Sequence, residues 1–252
     1  MTAASPSPAI EAHKLRKLYG YQVALRGLDL VLQRGERVSL FGPNGAGKTT
    51  LIKILAHLLQ PTSGEVRVLG VPVKEAGPEV RRQLGVISHQ SFLYPALTAR
   101  ENLRLYARLF EVSNVDERVQ TVLEEVELDT RADAQVSTYS RGMTQRLSIA
   151  RAIVHSPSII LLDEPYSGLD PHASRLLSAL LLRLGDGERT LLMTTHHLEQ
   201  GLELSSRVCI QVGGKLVFDA PSRSLTVPEL SQIYSQKLEE AREAKTLQRG
   251  AS

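Results

Sequence analysis

The chain has 252 residues, which suits one large domain or one domain with subdomains. A hydrophobic fraction of 42% supports a sizeable core, and 30 basic against 27 acidic residues give no reason to expect nucleic acid as the main partner. The single cysteine, Cys209, excludes an internal disulfide and sits in an apolar run, which reads as a buried thiol in a reducing cytosol; no stretch approaches the roughly 18–20 apolar residues that span a bilayer.

Residues 1–8 are rich in Ala, Ser and Pro and lack the basic start and apolar run of a secretory signal, so they read as a disordered lead. Leu28–Leu32 partly alternates and predicts a half-buried strand, Gly35-Glu36 a turn, and Arg37–Phe41 a buried strand. A glycine-rich loop follows, and Lys48–Leu59 has a helical pattern that Pro61, Ser63 and Gly64 break. Glu65–Val73 reads as two short strands turning at Gly70. The chain then changes character. Thr98 and Glu101 form a capping-box signature opening a helix through Phe110. Val119, Val122, Leu123 and Val126 mark the face of a second helix, and Ser140 caps a third running to about His155. This helical block, about residues 92–155, looks like an insertion into an alternating α/β chain. Alternation resumes with a strand at Ile159–Leu162, a helix opened by Asp170-Pro171, and a strand at Leu191–Thr194. Arg207–Val212 and Lys215–Phe218 flank Gly213-Gly214 as a hairpin, and a charged amphipathic helix runs from Pro228 to about Leu247.

Two features carry chemistry. Gly42-Pro43-Asn44-Gly45-Ala46-Gly47-Lys48-Thr49 satisfies G-x-x-x-x-G-K-[ST] between a predicted strand and a predicted helix. Glycines let backbone N–H groups approach phosphate oxygens unobstructed, and the helix beginning at Lys48 turns its positive end to the same anion. The Lys48 ammonium can reach the β- and γ-phosphates, and the Thr49 hydroxyl can ligate magnesium. The strand Ile159–Leu162 ends in Asp163-Glu164, which a central parallel strand would place beside that loop. Asp163 is assigned to the metal and Glu164 to orienting a water for in-line attack, so ATP and Mg2+ are the expected ligands.

These motifs resemble the ATP-binding subunit of ABC transporters, over roughly Ile10–Leu225 and in the family's order. The resemblance implies an α/β fold: a P-loop NTPase (RecA-like) core with an antiparallel β subdomain and a helical subdomain insertion. Residues 9–225 would form the ATPase domain and 226–252 a charged helix and tail. It implies that Tyr19, with Tyr21 as competitor, stacks on adenine, and that Thr50 joins the nucleotide-binding set. Gln90 would reach magnesium and sense the transmembrane partner, although His89 stands where the family often has proline. Tyr139-Ser140-Arg141-Gly142-Met143 resembles the LSGGQ signature, matching at Ser140 and Gly142 and departing at Arg141 and Met143; Arg141 would put an extra cation near the phosphate. Ser167-Gly168-Leu169-Asp170 resembles the loop crossing the dimer interface, and His196, rather than His197, the switch histidine. Catalysis would fall to Glu164, His196 and Lys48.

The same resemblance implies a head-to-tail dimer with a second copy, docked on a transmembrane permease at the cytoplasmic face of the membrane, with no nucleic acid and no direct cargo contact. The run Ala99–Leu103 and the stretch Thr195–Leu204 look most like haem exporter subunits of cytochrome c biogenesis; lipid, drug or polysaccharide export are alternatives. Soluble relatives in translation or DNA repair form another class. They commonly carry two ATPase units or coiled-coil insertions, and neither is present here.

Overall fold

A computed structural model describes residues 7–88, 90–185 and 189–250; most of the predicted lead, residues 1–6, and His89 lie outside the described residues. Strands β1 (Ile10–Tyr19) and β2 (Gln22–Leu32) form an antiparallel hairpin, extended by β4 (Ser63–Val68) and β5 (Val71–Pro72) into a four-stranded sheet of order β2-β1-β4-β5. The second sheet has six strands in the order β10-β9-β3-β8-β7-β6: β10 (Lys215–Pro221), β9 (Arg207–Val212), β3 (Arg37–Phe41), β8 (Thr190–Thr195), β7 (Ile159–Asp163) and β6 (Leu84–Ile87). All its pairings are parallel except the β9–β10 edge.

The helices are α1 (Lys48–Leu55), α2 (Pro78–Arg82), α3 (Ala99–Leu109), α4 (Val115–Glu125), α5 (Arg141–Ile153), α6 (Pro171–Leu184), α7 (Leu198–Leu204) and α8 (Val227–Gly250). The capping box of α3 is formed: Glu101 N–H donates to Thr98 Oγ1 at 3.1 Å and Thr98 N–H to Glu101 Oε2 at 2.8 Å. Met143 N–H donates to Ser140 Oγ at the start of α5, and Ala173 N–H to Asp170 Oδ1 at the start of α6.

The six-stranded sheet separates two apolar cores. Successive side chains of a strand point to opposite faces, so a strand covered on both sides is apolar throughout. In β7, Ile159 and Leu161 pack with α1 and the four-stranded sheet, while Ile160 and Leu162 pack with α3–α6. A smaller cluster joins Phe41, Val208 and Ile210 to Leu230 of α8.

Three predicted boundaries are corrected. Helix α1 ends at Leu55, not Leu59, because His57 turns left-handed (φ 59°). Leu58 N–H then returns to Lys53 O and His57 N–H to Ile54 O, a Schellman closure with histidine where glycine is usual. Strand β4 begins at Ser63, not Glu65, so Ser63 and Gly64 already belong to the sheet. Gly64 (φ 90°) lies against β1, where a Cβ would come within 2.7 Å of His13 O. Strand β2 begins at Gln22, well before Leu28.

Candidate functional site

The glycine-rich loop joins β3 to α1. Gly47, at φ 104°, occupies the N-cap of α1, and a Cβ there would strike Ala24 O and come within 2.8 Å of Gln211 Nε2. The loop is braced from β9 and the following turn: Ala46 O accepts Gln211 Nε2–H at 2.9 Å and Gly214 N–H at 3.0 Å. Gln211 is fully buried in β9, among Val208, Cys209, Ile210 and Val212. Its one signal in the sequence is a glutamine inside Val208–Val212.

Pro43 to Thr50 line a cleft of about 350 Å³ together with Tyr19, Gln22, Ala24 and Glu164. Tyr19 faces this cleft at 47% exposure, whereas Tyr21 is fully exposed and does not line it. Lys48, nearly buried, donates from Nζ to Gly42 O at 2.6 Å and stands 3.3 Å from Glu164 Oε1. The other oxygen of Glu164 meets His196 Nδ1 at 2.8 Å. One carboxylate therefore joins the loop lysine to the histidine after β8. His197 instead packs edge-on to Tyr166, and burial, with the His196 ring beside it, holds its imidazole below the ordinary histidine value.

Although β8 lies between β3 and β7 in the sheet, the acidic strand end reaches the loop through Glu164 and Lys48. Thr194 of β8 fixes that strand end. Its hydroxyl donates to Asp163 Oδ1 at 2.7 Å and accepts Glu164 N–H at 3.1 Å; Glu164 N–H also reaches Thr194 O at 3.0 Å. These bonds hold Glu164 at φ 51°, a left-handed conformation uncommon for a residue with a side chain. Asp163 is buried and has no cationic partner among the described residues. A buried carboxylate with a single hydroxyl donor and no cationic partner fits a hard, oxygen-seeking dication.

The remaining predicted residues lie on the helical side. Gln90 is exposed, and its carbonyl accepts the Ser88 hydroxyl at 3.1 Å. Ser88 and Ser91 line a second cleft of about 320 Å³ with Arg141, Gln145, Ser167 and, again, Glu164. Ser140, Gly142 and Asp170 do not line the phosphate cleft of their own chain. Gly142 also lets α5 approach α6, since a Cβ would come within 2.9 Å of the Ala173 methyl. Arg141 is engaged within its own chain: Nη2 donates to Ser167 O at 2.8 Å, and the guanidinium covers Gly168.

The parallel sheet, its glycine loop opening a helix and the acidic residues at the end of β7 define a P-loop ATPase. Residues 25–167 match the family model described as ABC transporter. The Nod factor export ATP-binding protein I of Cupriavidus metallidurans is 37% identical over 243 residues, 94% of this chain and 80% of that protein. Its counterpart in Paraburkholderia xenovorans is 40% identical over 220 residues, covering 86% and 72%. Among solved structures, the dimeric post-hydrolysis ATP-binding cassette MJ0796 bound to ADP and Pi matches with a TM-score of 0.77 at 29% identity, covering 86% of this chain and 100% of that one. An ATP-binding subunit of an ABC transporter matches with a TM-score of 0.80 at 28% identity, covering 90% and 99%. The chain belongs to the ABC transporter family and is its ATP-binding, ATP-hydrolysing subunit. No helix among the described residues is long and apolar enough to cross a membrane.

Proposed function

We propose that this subunit hydrolyses ATP in a head-to-tail dimer with a second copy and drives a transmembrane permease for export, from the cytoplasmic face of the membrane. The observation that carries the catalytic part is Glu164, whose two oxygens meet Lys48 and His196. In this reading Glu164 orients the attacking water and accepts its proton, Lys48 neutralises the β- and γ-phosphates, and His196 holds the γ-phosphate and the Glu164 carboxylate in register. Tyr19 stacks on adenine, and loop N–H groups from Gly42 to Thr50 cradle the phosphates. Thr49, Asp163 and Gln90 would hold magnesium, which supplies charge neutralisation on the phosphates when bound.

Ser140, Gly142 and Asp170 serve the partner's nucleotide. Their absence from their own phosphate cleft supports this, as do the matches to dimeric cassette structures. Two exposed aromatics at the start of the helical block, Phe92 (46%) and Tyr94 (53%), support docking of a membrane partner there. The name shared by the relatives, Nod factor export, supports export as the direction. Haem as cargo draws no support from them.

Glu164→Gln tests the reading. It should keep ATP binding, abolish most turnover and yield an ATP-stabilised dimer by light scattering. A variant that stays monomeric in saturating ATP and magnesium would overturn the closure model.

A further inference from the structure

A groove of about 780 Å³ runs between the β1–β2 hairpin, the β9–β10 turn and the second half of α8, apart from the phosphate cleft. Among the described residues its cationic lining side chains are Lys14, Arg16, Arg26, Lys215 and Lys237, and its only lining acid, Glu240, is taken by Lys237 at 2.8 Å. The other four cations make no side-chain hydrogen bond or ion pair among the described residues. Arg16 and Arg26 are direct cross-strand partners, an arrangement that works against the hairpin because like charges face each other.

The walls are open. Gly27 and Gly213 contribute no side chain, and a Cβ at either would meet nothing within 4 Å. Among the described residues its apolar lining is Val212, Val217, Ala241 and Ala244, with no aromatic and no large exposed hydrophobic side chain. These residues offer no platform for stacked bases and no large apolar anchor for a bilayer. What the groove offers is converging, uncompensated positive charge in a concave space, the chemistry that recognises multiply charged oxyanions. We propose that this groove binds a small soluble polyanion bearing at least two phosphate groups, at a site separate from the one that takes ATP. The groove borders the scaffold of the phosphate loop: Gly214 O accepts Arg26 N–H at 2.9 Å, and Gly214 N–H donates to Ala46 O at 3.0 Å.

The test is calorimetric titration of the full chain with tripolyphosphate, the phosphate loop being saturated with ADP in excess magnesium. One site is expected, weakened at least ~10-fold in Arg16→Ala/Arg26→Ala and unchanged in the off-groove control Lys74→Glu/Arg108→Glu, each with ADP affinity retained as proof of folding. No binding, or equal loss in the control, overturns the proposal. A second arm uses sedimentation with phosphatidylcholine vesicles containing phosphatidylglycerol. Binding that needs Arg16 and Arg26 but resists displacement by tripolyphosphate would make the ligand a lipid surface and would also overturn it.

Discussion

Replacing Thr194 by valine isolates the β8 side chain that holds the acidic end of β7. Thr194 is fully buried, so the near-isosteric, β-branched valine leaves strand geometry and volume intact while removing one hydroxyl. Glu164 N–H keeps its bond to Thr194 O at 3.0 Å. The principal loss is therefore the 2.7 Å bond to the buried Asp163 carboxylate. A hydrogen bond to a charged group contributes about 1.5–3 kcal/mol, and the stranded carboxylate sets the upper end. For a chain of this size that corresponds to a fall in Tm of about 3–6 °C, measurable by circular dichroism without nucleotide. Thr194→Ser retains the hydroxyl and should lose only about 1 kcal/mol with the missing methyl. In an Asp163→Asn background the valine should cost about 0.5–1.5 kcal/mol, since the acceptor is then neutral. Turnover against magnesium concentration should shift to higher magnesium in Thr194→Val and not in Thr194→Ser. If Thr194→Val is no less stable than Thr194→Ser, the hydroxyl does not hold Asp163 and the reasoning fails.

Three further outcomes are expected. Burial, with Arg151 and Arg118 nearby, pushes the His155 imidazole down to about 4, below the ordinary 6.5, although its Nε2 contact with Leu84 O works the other way. A depressed histidine makes the unfolded chain bind the proton more tightly. Its contribution is therefore full above pH 6.5 and is lost as pH falls toward 4, by up to about 3 kcal/mol; acid unfolding of His155→Phe should lack that component. Gln211→Leu removes one bond to Ala46 O, which Gly214 N–H still satisfies, and also a buried Oε1 with no partner. These effects oppose each other, so chemical denaturation should show a change within about 1 kcal/mol, and a loss above ~2 would refute the account. Gly168→Ala introduces a left-handed alanine (φ 71°) into the space of the Arg141 guanidinium. The cost should be about 2–3 kcal/mol in the natural chain but only ~1 kcal/mol in an Arg141→Ala background, where the backbone penalty alone remains.

The elements legible from residues alone are those with one clean period and local end signals, such as β3, β7, α3 with its capping box and α6 behind Asp170-Pro171. The strand β1 was not, because its alternation is broken. His13 and Lys14 are exposed in succession, and the register shifts between Ala12 and Leu15, where Lys14 takes φ 47°. The strand β6 is short and contains Gly85, which sequence marks as a breaker. The fold requires it there, since a Cβ would come within 2.5 Å of Ala152 O on α5. The short helix α7 has Gly201 for the same kind of reason, lying against the Phe41 ring. The phosphate loop was legible because its spacing is local, and Glu164 because it ends an apolar strand; His196 rested on the family resemblance. The brace from Gln211 and the bridge through Thr194 were not legible, because they join residues distant in the chain. Arg141 was expected beside a phosphate, and its tie to Ser167 is a tertiary contact invisible to a motif.

The sheet that separates the two cores makes β7 and β8 a parity code. In β7 the odd positions, Ile159 and Leu161, belong to the α1 side and the even ones, Ile160 and Leu162, to the helical side; in β8 Leu192 belongs to the α1 side, and Leu191 and Met193 to the helical side. Two adjacent residues of one strand thus answer to different machinery. A conservative truncation moved by a single position along β7 changes which half of the molecule registers it: the cradle that grips nucleotide, or the helical layer that would carry its consequences to another protein.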